Sequence, residues 1–131
     1  AYTRACYKAI GGLRASIGWD TIDELLAKYH KFNVTTLSNL HVQHLRPTGK
    51  SYVPSAKKLQ GRAMYVMRYG FIISLIASLK MAWKQRNFRV LIDNIKGYKE
   101  ASRIGLPFLI NEEEGKFVRN LRWRGIRQAL F

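Results

Sequence analysis

The fold is read from Gly18-Trp19-Asp20-Thr21-Ile22-Asp23-Glu24-Leu25-Leu26-Ala27. Asp20 or Thr21 can cap a helix over 21–31, because a short polar side chain accepts a hydrogen bond from an orphan first-turn N–H. Asp23 and Glu24 fall in the first turn, where the helix dipole favours negative charge. Ile22, Leu25, Leu26 and Tyr29 recur at helical spacing and give this segment one apolar face, which Phe32 and Asn33 bring to an end.

Working outward, residues 2–10 read as a short helix stopped by Gly11-Gly12, where the second glycine can take a positive φ, and 13–19 read as a loop. Downstream, 34–37 and 40–45 read as two short strands, the second with Leu40 and Val42 alternating. Arg46-Pro47-Thr48-Gly49 breaks that pattern, and 50–62 is a basic, polar connector. Beyond it the expectation is wholly helical. One long helix covers 63–86, and a second covers 88–104 with Val90, Leu91, Ile95 and Tyr98 as its stripe, closed by Gly105-Leu106-Pro107. A last helix starts at Asn111, where Glu114 three positions on completes a capping box, and runs through Phe117, Val118, Leu121, Trp123 and Ile126. The fold class is therefore α+β, mostly helical: mixed before Pro47 and helical after it. Three units follow, 1–46, a connector 47–62 and a helical tail 63–131.

The chain has 131 residues, 47% of them hydrophobic, enough for one modest domain with a core and too many for a disordered segment. Its 23 Lys/Arg against 8 Asp/Glu leave a net charge of +15. Six of those cations and three of the acids fall in 1–46; the other seventeen and five fall in 47–131. Such a surface seeks polyanions: nucleic acid, anionic lipid or phosphorylated substrates. A single cysteine, Cys6, excludes an internal disulfide and a multi-cysteine metal site, and its apolar-leaning neighbourhood marks it as buried and inert. No secretory signal pattern opens the chain, and the expected compartment is cytoplasmic. It starts on Ala1, inside a pattern, and reads as a fragment.

Gly11-Gly12-Leu13, the 17–27 stretch with Asp20, and His41-Val42-Gln43-His44 resemble, in that order, family 2 glycosyltransferases of the GT-A fold. In that family a Gly-Gly turn precedes an acidic motif, a helix, a strand and a closing His. The resemblance covers residues 1–46, and the basic tail is similar to the membrane-proximal tails of bacterial members. It implies a fragment of an inverting enzyme that moves a sugar from a nucleotide-sugar donor to a saccharide or lipid-linked acceptor. Asp20 becomes the general base, since a neutral hydroxyl is a poor nucleophile and a carboxylate at a helix start is well held. Its alternative is a plain N-cap. Trp19 stands where the motif carries Glu and would form an acceptor wall, with Asp23 beside it. His44 would meet a divalent metal, Mn or Mg, in the full-length enzyme. Arg46 would meet the donor diphosphate, or else stands in solvent. His41 reads as a surface residue. The upstream Asp-x-Asp motif is missing, so the fragment alone is expected to be inactive, metal-free and prone to self-association. Arg122-Trp123 resembles part of the motif of processive members, but Arg119 occupies its Gln position and the distance from Asp20 is too long.

The apolar run 69–79 has eleven residues between Arg68 and Lys80, against about 20 for a bilayer crossing. Arg62, Lys80, Lys84, Arg86 and Arg89, with Tyr65, Tyr69 and Trp83, suit an interfacial helix on an anionic membrane, peripheral on the cytoplasmic face of the inner membrane. The same helix could instead be core with a solvated basic rim. One alternative is a non-catalytic membrane-surface or scaffold helical protein; another is a nucleic-acid binder whose best stripe is Lys116, Arg119, Arg122, Arg124 and Arg127. No recognised nucleic-acid-binding motif accompanies that stripe.

Overall fold

The computed structural model describes residues 1–43, 45 and 58–130. Among them are six helices and no strand: α1 (Arg4–Ala9), α2 (Trp19–Tyr29), α3 (Leu59–Val66), α4 (Phe71–Gln85), α5 (Arg89–Ile104) and α6 (Glu112–Leu130). The mostly helical expectation holds. The expected strands are corrected: 34–37 and the described part of 40–45 form neither helix nor strand. The alternation of Leu40 with Val42 has no second layer to bury it, and Val42 is 84% exposed. A lone apolar alternation without a pairing partner leaves its backbone groups to water. The GT-A half of the resemblance therefore finds no sheet among the described residues. His44, Arg46 and the connector up to residue 57 lie outside them.

α1 is capped by Thr3, whose hydroxyl accepts from the Cys6 N–H at 3.2 Å. Gly11 and Gly12 both take φ +79°, so the expected glycine stop uses both residues. α2 starts at Trp19, two residues before its expected start at Thr21. Gly18, left-handed at φ +79°, is the N-cap, and Asp20 lies inside the first turn. At its far end Lys31 takes φ +64°; its N–H donates to the Lys28 carbonyl and that of Phe32 to the Ala27 carbonyl. This is the paired bonding that closes a helix through one left-handed residue. Phe32 then folds back onto the core.

The long helix expected over 63–86 is two helices. α3 ends with Arg68 left-handed at φ +54°, and Gly70 at φ +79°, ψ 157° starts α4 in a region open essentially only to glycine. Arg119 donates to the Arg68 carbonyl at 3.1 Å, and Arg68 Nε donates to the Ile110 carbonyl at 2.8 Å. The corner is thus fastened by α6 and by the segment before it, which helical periodicity does not reveal.

α3 packs on α5, α4 on α3, α5 and α6, and α2 on α6. The α3–α5 contact is backbone on backbone. A Cβ on Gly61 would collide with the Asn94 carbonyl, and one on Gly97 with the Lys58 carbonyl. Ile10, Ile22, Leu26, Met64 and Val118 are the largest apolar side chains shut inside, and they come from α2, α3, α6 and the end of α1. Cys6 joins them as a buried free thiol. α6 opens with the expected capping box: Glu114 N–H donates to Asn111 Oδ1, and Asn111 N–H to Glu114 Oε2, both at 2.9 Å.

Candidate functional site

The residues singled out for glycosyl transfer point in different directions. Trp19 and Asp20 are exposed on the first turn of α2, and Asp20 Oδ1 accepts from the Thr21 N–H at 2.8 Å. Asp23, one turn on, is 0% exposed. The Tyr2 hydroxyl donates to its Oδ2 at 3.3 Å, Arg14 Nη1 stands 3.9 Å from Oδ1, and Oδ1 has no hydrogen-bond partner. Burial pushes the Asp23 carboxyl above the usual aspartate range, against the pull of the Tyr2 hydroxyl and Arg14. Asp23, the expected acceptor contact, is thus closed in by Tyr2 and Arg14 with no exposed surface. Asp20 faces out while Asp23 faces in, so the two do not converge. His41 is exposed, as expected of a surface residue. Among the described residues no three His, Cys, Asp or Glu side chains stand close enough to hold a metal ion. His44, the expected metal contact, lies outside the described residues.

Two of the five cations of the expected nucleic-acid stripe on α6, Arg119 and Arg122, are engaged in packing, and Lys116 is held in a surface pair. Arg119 bonds the Arg68 carbonyl and Glu112 Oε1, Arg122 donates to the Tyr69 hydroxyl at 2.6 Å, and Lys116 pairs with Glu113. Arg124 and Arg127 stay exposed. Arg62 and Arg68 are similarly engaged, by Glu100 and Glu112 at 2.8 and 2.7 Å. Tyr65 packs edge-on against Tyr98, and Tyr69 is buried.

What is left open is α4. Its inward side carries Ile73, Ser74, Ser78 and Ala82. Its outward side carries Ile72, Leu75, Leu79 and Trp83, spaced by three, four and four residues and so on one line of the helix. Ile72 is 61% and Trp83 78% exposed. A helix apolar around its circumference is normally buried all round; here one whole face has no partner among the described residues. Lys80, Lys84, Arg86 and Arg89 stand exposed along its second half and the turn after it, and none takes part in an ion pair among the described residues. Phe88 and Ile92 extend the exposed apolar surface past the turn.

α5 adds a cationic line that the sequence analysis missed. Arg89, Lys96, Lys99 and Arg103 are spaced by seven, three and four residues, and all are exposed. That spacing stands in the sequence beside the apolar stripe of the same helix. A groove of about 440 Å³ between α4 and α5, lined by Phe71, Tyr98, Lys99, Ser102 and Arg103, joins the two faces. Phe71 rests edge-on against Tyr98 with ring centroids 5.6 Å apart.

No helix among the described residues is long and apolar enough to cross a membrane. Neither a protein-family model, nor a curated protein, nor a solved structure matches this chain.

Proposed function

We propose that this protein binds the surface of an anionic membrane as a peripheral protein, with α4 lying in the boundary between headgroups and acyl chains. The observation that carries the reading is the apolar face of α4 with free cations beside it. Fifteen residues of helix extend about 22 Å, short of the roughly 30 Å hydrocarbon thickness, so α4 suits the interface plane and not a crossing. Ile72, Leu75, Leu79 and Trp83 would enter the acyl boundary, while Lys80, Lys84, Arg86 and Arg89 reach sideways to phosphates. Burying a large apolar side chain contributes about 1.5 kcal/mol at such exposures, and each cation near an anionic surface about 1 kcal/mol. The two contributions are of one size, so binding needs both. The cytoplasmic leaflet, with its negative surface potential, is the side this reading favours.

Glycosyl transfer draws little support from the described geometry: Trp19 and Asp20 share the exposed first turn of α2, but Asp23 is buried and His44 and Arg46 lie outside the described residues. Nucleic-acid binding loses Arg119 and Arg122 from the α6 stripe and leaves an apolar face without a role. Vesicle flotation decides. The chain is expected to float with vesicles containing phosphatidylserine and to stay behind with pure phosphatidylcholine. Indifference to lipid charge, together with a tight gel shift of nucleic acid at physiological salt, would move the assignment to nucleic acid.

A further inference from the structure

A second groove, of about 370 Å³, opens where α3 meets α5 and is lined by Lys58, Lys96, Lys99, Glu100 and Arg103. Four cations thus share one depression with one carboxylate, and that carboxylate is occupied. Lys58 Nζ donates to Glu100 Oε2 at 3.3 Å and Arg62 Nη2 to Oε1 at 2.8 Å. Glu100 therefore fixes the two α3 cations in place and has little negative field left to spend on an incoming anion. The remaining three, Lys96, Lys99 and Arg103, take no part in an ion pair among the described residues. Their spacing by three and four residues puts them side by side on one face of α5, at distances where like charges repel and oppose the helix. An anion bridging them removes that repulsion.

Two features select the kind of anion. A phosphodiester carries one charge, whereas a phosphomonoester carries nearly two and presents three acceptor oxygens; cations crowded at helical spacing favour the denser charge. Arg103 adds a planar fork that takes phosphate in a bidentate way. The groove also neighbours the lipid-facing side of the molecule, since Lys99 and Arg103 line the α4–α5 groove together with Phe71.

We infer that the α3–α5 groove is a binding site for clustered phosphomonoesters, and that on the membrane, resting on the surface-binding reading above, it selects lipids whose headgroups carry them. Lys96, Lys99 and Arg103 bind the phosphates and Lys58 closes the groove from α3. Lys80, Lys84 and Arg86 supply attraction without selection.

The test compares vesicles of matched surface charge, one set with phosphatidylserine and one with phosphatidylinositol bisphosphate. The full chain is expected to bind the second about tenfold more tightly. Lys99→Gln with Arg103→Gln should abolish that preference and keep binding to phosphatidylserine vesicles; Lys80→Gln with Lys84→Gln, the same loss of charge, should weaken both sets alike. Equal affinity of the unaltered chain for both sets, or equal behaviour of the two variants, overturns the groove. Calorimetric titration with soluble inositol trisphosphate, with inorganic phosphate as the second arm, reads the groove without a membrane. Binding of the trisphosphate that Lys99→Gln with Arg103→Gln removes supports the site even where flotation fails. Inorganic phosphate matching the trisphosphate in affinity would overturn the requirement for clustered esters. All four substituted side chains are exposed, and circular dichroism checks that the fold is kept.

Discussion

The Tyr2 hydroxyl ties the start of the chain to Asp23 of α2 through a 3.3 Å hydrogen bond to a carboxylate with no exposure to solvent. The other oxygen of that carboxylate has Arg14 at 3.9 Å and no hydrogen bond. A buried acid satisfied on one side only is a stability defect with a definite pH signature.

Burial raises the Asp23 carboxyl above its ordinary value of 3.8, so the folded chain takes up this proton before the unfolded chain does. The cost of burying the charge is present at neutral pH. It fades as pH falls through the raised folded value and is gone below the unfolded one. Asp23→Asn keeps an acceptor for Tyr2 and removes the charge. The variant is expected to be more stable than the unaltered chain by about 1 kcal/mol at pH 7, with the gain vanishing toward pH 3.5. Denaturation of both proteins across this range checks it. The comparison cancels Glu100 and Glu112, whose carboxyls are held below the usual range, first of all by hydrogen bonds from Lys58 and Arg119 respectively, and which lose their contribution as pH falls. A constant deficit for Asp23→Asn would mean that the Arg14 pair outweighs the burial.

Two glycines should answer alanine with opposite signs. Gly97→Ala drives a methyl into the Lys58 carbonyl, and neither backbone can yield without parting α3 from α5, a loss of about 3 kcal/mol. Gly125→Ala, in exposed α6 with nothing within 4 Å of the new Cβ, should gain about 0.8 kcal/mol from helix propensity. Urea denaturation measures both, and a mild Gly97→Ala would show that the α3–α5 contact can open.

The box at the head of α6 is worth a cap. Asn111→Ala removes the acceptor of the Glu114 N–H and should cost about 1 kcal/mol. The effect matters beyond α6 itself, since Arg119 and Arg122 hold the α3–α4 corner from that helix. Loss of stability without loss of vesicle binding at low temperature is the expected pattern, read by thermal melting and flotation in parallel.

Trp83 is the reporter for the membrane reading. In a chain carrying Trp19→Phe and Trp123→Phe, its emission should shift to the blue on vesicles containing phosphatidylserine, as the indole leaves water. Leu79→Ser with Trp83→Ala should leave stability within about 0.5 kcal/mol, both sites being exposed, and should lower flotation at least tenfold. Unaltered flotation of that variant would remove α4 from the contact.

The helices whose signals are local were legible along the chain. α5 ends at Gly105 and α6 begins with the Asn111–Glu114 box because caps are satisfied by residues a few positions away. The apolar face of α2 and the glycine stop after α1 were legible for the same reason. Which side of α4 is buried was settled by packing between distant segments. Both sides are apolar enough, and the fit chose the one with Ser74, Ser78 and Ala82, since small side chains let α4 approach its neighbours while Ile72, Leu79 and Trp83 would hold them apart. The corner at Arg68–Gly70 and the burial of Asp23 were hidden likewise. Arg119 and Tyr2 fix them across long stretches of chain, and no window along the sequence contains both partners.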